Sequence, residues 1–434
     1  MKNEAKSFFL SDHLYKVFLF VLAGIAVWII AYLKSQSVRE SFRDPLLLGY
    51  TIFVTSFELT RLVAAVLYSF SHQYLTRNRD LFGYEPTVSF VIPCKNEEKT
   101  IGYTIDKCFE AEYPAEKIEV IVINDGSTDN TISELRKKET EYSKLKVIDW
   151  KVNKGKRHGM AEGFTRASGE IIIQLDSDSF IDPKTIRDLI SPFKDEDIGA
   201  VCAHADPLNA DKNLLTRMQA AYYFLSFRIL KAAESTFMSV FCCSGCSSAY
   251  RKSVVMPILD QWLNEKFLGL PVTWGDDRGL TNWVLKLGYK TIYSDKAKAF
   301  TICPEDWKTF LKQQVRWKKG WFVNSVFASK FLYKQKPFVA FTYFFPLMIV
   351  TLATPFMAVR AFAYLPIAKG ILPFYYIVGC YLLAGLITIF YRYVSRENKY
   401  WPYVFVWSTI NMVFLSFILF YALATIQNRK WGTR

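Results

Sequence analysis

The stretch GEIIIQLDSDSFIDP, residues 169–183, runs an apolar segment straight into three carboxylates, Asp176, Asp178 and Asp182. At an extended strand end, residues i and i+2 project to the same side, so Asp176 and Asp178 share one patch of space. Two carboxylates so placed repel, and one takes up a proton unless a cation lies between them. A hard divalent ion such as Mg²⁺ or Mn²⁺ takes oxygen ligands and bridges to phosphate. The pair therefore predicts a metal–diphosphate site, with Asp178 and Asp176 as ligands. The plainer alternative is a solvated turn rich in Asp and Ser.

Five further segments keep that pair company. VIPCKNEE (91–98) closes the first strand-like run and offers Lys95 to a substrate. VINDGSTDNT (122–131) puts Asp125 after a strand, where its carboxylate can accept hydrogen bonds from a base or sugar. NKGKRHGM (153–160) gathers Lys154, Lys156 and Arg157 beside Gly155, a basic set suited to phosphates. TWGDDRGLTNWVLKLGYK (273–290) sets Asp276 and Asp277 at the start of a helical pattern. That is either N-capping or a general base beside a reaction centre. QQVRWKKGW (313–321) lies on an amphipathic helix beginning near Glu305. There Gln313 and Arg316 offer polar contacts, Arg316 to phosphate, and Trp317 offers a face to a sugar ring; membrane-interface Trp and Arg are the alternative. Each segment alone is ordinary turn or helix chemistry. Their ordered succession at strand ends is not.

Such residues need a scaffold that gathers strand ends. Between about residues 87 and 336, short β-rich runs (VSFVIP, IEVIVIND, KVIDW, EIIIQLD, IGAVCAHA) alternate with charged helical stretches. This alternation predicts a mostly parallel sheet covered by helices, whose ligands bind at the carboxyl ends of strands. No internal repeat or low-complexity segment is evident.

The 434 residues are 51% hydrophobic and 17% aromatic, yet 22% charged. That combination predicts a soluble domain flanked by membrane segments. Residues 17–33, 46–70, 338–359, 371–391 and 401–426 are the candidate spans. The first is not read as a signal peptide, because no small-residue cleavage site follows it. Glu58 and Arg61, three apart in the second span, read equally as a structural ion pair or as a polar wall of a translocation path. Arg392, Arg396 and Lys399 precede the last segment, and Arg429, Lys430 and Arg434 follow it. Positive-inside anchoring then places both flanks in the cytosol, which calls for a hairpin or re-entrant segment there. The net charge of +14 fits such anchoring, and no nucleic-acid motif accompanies it. Cys242, Cys243 and Cys246 lack a second cysteine pair to complete a zinc site, so reduced thiols in a cytosolic domain are expected.

With these motifs in view, the chain resembles the processive, membrane-embedded glycosyltransferases of family 2. NKGKRHGM, LDSDS, WGDDRGLTN and QQVRW look most like hyaluronan synthases, with chitin synthases close behind. The terminal WGTR, with Trp431, resembles a cytosolic gating loop of those enzymes. The resemblance implies a GT-A-type α/β domain with a mostly parallel mixed sheet, inserted between transmembrane helices. The implied divisions are a membrane region at 1–76, a cytosolic glycosyltransferase domain at 77–304, an amphipathic interface helix at 305–336 and a second membrane region at 337–434. It implies Asp125 on the uridine of a UDP-sugar, Asp176 and Asp178 on Mn²⁺ or Mg²⁺, and Lys154 and Arg316 on the diphosphate. Asp277, beside Asp276, would deprotonate the acceptor, Trp317 would hold the acceptor sugar, and the segment around Cys243 would lie beside it. The implied partners are UDP-sugar donors, the growing polysaccharide and the lipid bilayer of the cell membrane, not nucleic acid. The sequence departs from the hyaluronan synthase pattern at Cys246, where Pro is expected, and at Gly320, Val323 and Asn324. These changes bear on the choice of sugar, not on the reaction class. The rival readings are a chitin-type synthase using UDP-GlcNAc alone, another capsular polysaccharide synthase, a non-processive lipid glycosyltransferase and an inactive membrane scaffold.

Overall fold

VSFVIPC is buried along its whole length, and a strand buried on both faces belongs inside a covered sheet. The computed structural model, which describes residues 2–41, 44–77 and 84–428, places it there as β1 (Val88–Cys94). Strand β1 pairs in parallel with β2 (Ile118–Asp125) and β4 (Ile171–Gln174), and β2 pairs in parallel with β3 (Leu145–Trp150). Beyond β4 the sheet turns mixed. β7 (Ser248–Arg251) runs antiparallel between β4 and β6 (Ile198–Pro207). β10 (Lys290–Thr301) is parallel to β6 and carries β5 (Ser179–Ile181) antiparallel on its far edge. The order is β3-β2-β1-β4-β7-β6-β10-β5, and β8 (Lys266–Phe267) with β9 (Leu270–Pro271) forms a separate hairpin.

The five strands expected from the sequence are all present, and β5, β7 and β10 join them. β7 is only four residues long, and β10 is interrupted by a register shift between Ser294 and Lys298. Neither gives a clean alternating or apolar run.

The sheet has a core on each side. One is built on Ile101, Ile105, Leu135 and Leu189 from helices covering that face. The other joins Met160, Phe164, Trp262, Leu280 and Val284 to Phe57, Leu62, Tyr343 and Phe344 of the apolar helices without a break. The catalytic-type sheet and the apolar helices thus share one packed interior.

Among the described residues, four helical segments are long and apolar enough to cross a membrane: Asp12–Tyr32, Pro45–Tyr68, Pro337–Lys369 and Tyr376–Val394. Their outward faces expose Phe20, Trp28, Phe341 and Phe356, as lipid-facing helices do. The last apolar stretch is two short helices, Tyr403–Val413 and Leu415–Ala424, bent by 48° where they meet. Glu58 and Arg61 are paired at 2.7 Å. Trp307–Ser329 is the amphipathic helix beneath them, its first turn capped by Asp306, which accepts from Thr309 N at 2.9 Å.

Candidate active site

Register brings the ends of β1, β2 and β4 side by side, since Cys94 pairs with Asn124 and Val91 with Gln174. The loops that follow β1 and β2 are clasped together. Asn96, at φ 56°, accepts from Thr128 N at 2.8 Å, and Glu97 N donates to Thr131 Oγ1 at 2.8 Å. Lys95 sits on this clasp and does not line the cavity described below. Asp125 is buried at the end of β2. Its Oδ1 accepts from Lys154 N at 2.6 Å and its Oδ2 from Gly155 N at 2.9 Å and Asn153 Nδ2 at 3.0 Å. The carboxylate therefore shapes the NKGK loop, and it does not itself line the cavity described below.

That loop sorts its basic residues in an order the sequence does not give. Lys154 is exposed, its Nζ 4.3 Å over the Trp150 ring. Lys156 reaches Asp176, with Nζ 2.5 Å from Oδ1. Arg157 turns inward: it donates to the Trp262 and Val272 carbonyls and to Glu265 Oε2 at 3.0 Å. Its Nε stands 3.4 Å from Asp276 Oδ1, an ion pair without hydrogen-bond geometry. Arg157 is thus an internal brace and not part of a phosphate-facing set: one position on in the helix Lys156–Arg166, about 100° round its axis, it faces a different side from Lys156.

Asp176 and Asp178 follow β4 and face one cavity. Burial, and then the neighbouring Asp176, raise Asp178 to about 6, against the pull of Lys156 and Arg316. Burial also works against a charged Lys156, yet Asp176, Asp276 and Asp277 hold its pKa well above the ordinary lysine value. The pair offers oxygen ligands only. Among the described residues no group of three or more His, Cys, Asp and Glu side chains is gathered for an ion. The protein thus presents two carboxylates and leaves other positions open, which suits a hard cation sharing its ligands with a diphosphate and water.

Asp276 and Asp277 open the helix Asp276–Lys286 after Gly275, which is left-handed at φ 68°. Gly275 is the N-cap and no side chain caps the helix, so the capping reading of this motif does not hold; the two carboxylates differ in what they meet. Asp276 is buried against Arg157, and burial raises its pKa. Asp277 faces the cavity: its Oδ1 accepts from Arg278 N at 2.8 Å and its Oδ2 from Gly245 N at 3.2 Å and Cys242 Sγ at 3.6 Å. Cys242, Ser244, Gly245 and Cys246 line the cavity, whereas Cys243 is fully buried and its N–H donates to Thr281 Oγ1 at 3.0 Å. The residue of this pair that meets the cavity is therefore Cys242 and not Cys243.

The helix Trp307–Ser329 closes another wall of the site. A Cβ on Gly320 would stand 3.0 Å from Gly275 Cα, so the two main chains touch only because both residues are glycine. Asn324 Nδ2 donates to the Gly320 carbonyl at 2.8 Å and to that of Gly275 at 3.3 Å. Gly320 and Asn324, two of the sequence departures, therefore lock this helix to the GDD turn. Gln313, Arg316 and Trp317 all line the cavity, and Gln313 Oε1 is buried with no hydrogen-bond partner. Trp317 lies 6.3 Å from Tyr222, whose ring stacks on Trp407 at 4.0 Å. Trp431 lies outside the described residues.

The cavity has a volume of about 700 Å³. From Asp176, Asp178 and Asp277 it passes Lys231, Arg278 and Trp317. It continues between apolar helices along Glu58, Arg61, Tyr50, Thr55, Thr354 and Asn411. Lys231, Arg278, Tyr222 and Trp407 were not singled out by sequence. Arg278 lies within the quoted GDDRG segment, next to Asp277; the other three come from helices whose role depends on packing, where no local motif marks them.

The family model described as glycosyl transferase family 2 matches residues 89–259. A hyaluronan synthase from Streptococcus pyogenes serotype M1 is 33% identical over 377 residues, spanning 81% of this chain and 86% of that protein. An N-acetylglucosaminyltransferase from Azorhizobium caulinodans is 27% identical, over 82% of this chain and 89% of that one. Among solved structures, a mannosyltransferase from Pyrobaculum calidifontis, in complex with GDP-Man and Mn²⁺, superposes with a TM-score of 0.61 at 21% identity. It covers 89% of this chain and all of that one. The fold is of the GT-A type, set among apolar helices.

Proposed function

The chain belongs to the family 2 glycosyltransferases, in their hyaluronan synthase-like branch, and from that membership we propose a processive, inverting synthase. It polymerises UDP-sugars in the cytosol and passes the polysaccharide across the cell membrane, with UDP-GlcNAc and UDP-GlcA as its donors. The observation that carries this reading is the single cavity of about 700 Å³ that joins the carboxylates to the interior of the apolar helices. A transferase acting once on a lipid has no need of such a passage. Tyr50, Thr55, Thr354 and Asn411 give it hydrogen-bonding groups at membrane depth, and such groups inside a membrane face protein or water.

In this reading Asp277 takes the proton of the acceptor hydroxyl as its oxygen attacks C1 of the donor sugar. The C1–O bond to UDP breaks with inversion, and its electron pair leaves on the diphosphate. Lys156 and Arg316 offset that charge, the kind of contribution that often dominates transfer chemistry. Asp176 and Asp178 would hold a divalent ion, Mn²⁺ or Mg²⁺, which supplies Lewis-acid stabilisation of the diphosphate when bound. Asp125, through the loop it holds, forms the nucleoside end of the site. Trp317 offers its face to the acceptor sugar where the cavity narrows toward the apolar helices. The division into two membrane regions, a cytosolic domain (77–304) and an interface helix (305–336) follows from the same reading.

The test is UDP release by the purified full chain with Mn²⁺ or Mg²⁺, given UDP-GlcNAc, UDP-GlcA and UDP-glucose singly and in pairs. Sustained release only with UDP-GlcNAc and UDP-GlcA together, yielding a hyaluronidase-sensitive polymer, is the expected result. The likeness to an N-acetylglucosaminyltransferase favours one second reading, a synthase of GlcNAc polymer. Sustained polymer formation from UDP-GlcNAc alone would replace the first with it.

A further inference from the structure

The main chain of residues 241–246 passes between the paired carboxylates and Asp277, and Gly245 touches both sides. Its carbonyl accepts from Asp176 N at 2.9 Å and Gln174 Nε2 at 3.3 Å, while its N–H donates to Asp277 Oδ2 at 3.2 Å. A Cβ at this position would stand 2.7 Å from both carboxylate oxygens of Asp176. Cys242 Sγ donates to the same Asp277 oxygen at 3.6 Å. Burial, and then Asp277 itself, push this thiol up to about 12, so it keeps its proton and remains a donor. Sulfur is a weak donor, and together the two groups aim one carboxylate oxygen more than they bind it.

An irregular turn keeps such a setting only if its own peptides are held. Two side chains of one helical stretch hold them. Lys231 Nζ donates to the Cys242 carbonyl, and Glu234 Oε2 accepts from Phe241 N at 3.1 Å. Lys231 closes the wide π-turn Ser226–Lys231, and Glu234 follows on Ala232–Thr236, three residues on and on the same face. Both are buried. Burying opposite charges is costly even when they are near one another, and here both end on adjacent residues of one turn.

We infer that Lys231 and Glu234 are positioning residues for sugar transfer: they fix the 241–246 turn so that Cys242 and Gly245 hold the Asp277 carboxylate toward the acceptor hydroxyl. This rests on the reading of Asp277 as the base. Neither side chain needs to touch the reacting atoms. Their effect falls on the rate of transfer, not on donor binding.

The experiment uses the full chain in lipid nanodiscs, with UDP release for kcat and donor KM, and calorimetry for the Kd of UDP. Lys231→Met keeps the apolar stem and removes the donor. It is expected to lower kcat about ten- to a hundredfold, with donor KM and UDP Kd within about twofold, as a misplaced group does. Glu234→Ala should do the same, whereas Glu234→Gln, which retains an acceptor oxygen for Phe241 N, should recover most of kcat. The double variant Lys231→Met/Glu234→Ala should be no slower than the slower single, since both act through one turn. Unchanged kcat in Lys231→Met, or a loss of UDP affinity equal to the loss of kcat, overturns the inference. If Lys231→Met does not fold, Cys242→Ala and Cys242→Ser decide. A slow Ala variant beside an active Ser variant supports the turn's role, and a wild-type rate in Cys242→Ala overturns it. Asp277→Asn separates the two levels. Polymer made by Asp277→Asn removes the base reading and the inference with it. An inactive Asp277→Asn beside a wild-type Lys231→Met removes the inference alone.

Discussion

Asp277 and its neighbour Asp276 are chemically identical and do different work because of what each faces. Both line the cavity, but Asp276 is buried and ion-paired with Arg157, whereas Asp277 has one oxygen aimed by Gly245 and Cys242. Asp277→Asn keeps the shape and removes the proton acceptor. Polymer synthesis should fall by about two to four orders of magnitude, with UDP binding retained; unchanged synthesis would sink the role. Asp178 gives a pH prediction. It is held up to about 6 by burial and by Asp176, so below that pH it is protonated in the free enzyme and a cation must displace the proton to bind. The concentration of Mn²⁺ needed for half-maximal UDP release should therefore rise as pH falls through about 6, and be flat above about 7. A requirement that stays flat down to pH 5 would remove Asp178 from the ion.

At the scale of elements, the helix Asp276–Lys286 is fastened to Lys156–Arg166 through the buried Arg157, whose guanidinium meets Glu265, Asp276 and two carbonyls. Arg157→Ala leaves the buried Asp276 and the half-buried Glu265 without this cation, and breaking such a buried pair costs about 3–5 kcal/mol. The expected outcome is loss of folded protein, read as a lowered melting temperature and poor recovery in detergent; a variant that melts like wild type but turns over slowly would return Arg157 to the phosphate site. The sequence was a good guide to elements and an uneven one to directions. VSFVIP, IEVIVIND and EIIIQLD are unbroken apolar runs ending in polar clusters, and such runs can only be inner strands of a covered sheet. Where a side chain points within a loop is decided by partners far along the chain. Lys154, Lys156 and Arg157 are adjacent in sequence. One lies over Trp150, one on Asp176 and one on residues more than a hundred positions away. Cys243 and Cys242 differ in the same way. The close approach of Gly275 to Gly320 could not be read locally either, because it needs two glycines from different elements to meet.

Over the whole molecule the decisive feature is continuity. One hydrophobic core runs from the sheet into the apolar helices, and one cavity runs beside it from Asp277 to Thr354 and Tyr376. Glu58 and Arg61 pair with each other, as the structural reading of their motif has it, and they also line that cavity. If the cavity is the way out for the polymer, an obstruction at membrane depth should affect chain length and leave the first transfers intact. Thr354 is the place to test it. Its hydroxyl bonds Tyr50 at 2.7 Å between two candidate spans, and it lies far along the lining from the carboxylates. Thr354→Trp fills the passage with an apolar ring that a membrane helix tolerates. With both donors present, UDP release should start at the wild-type rate and then stall, and the product should be short oligosaccharides. Thr354→Ser, which keeps the hydroxyl and adds no bulk, should make polymer of wild-type length. A stall is expected, and not merely a slower rate, because a chain that cannot advance leaves its newest sugar in the acceptor position and no room for the next. Full-length polymer from Thr354→Trp would mean that the chain leaves by another path, and the cavity would then be a feature of packing alone.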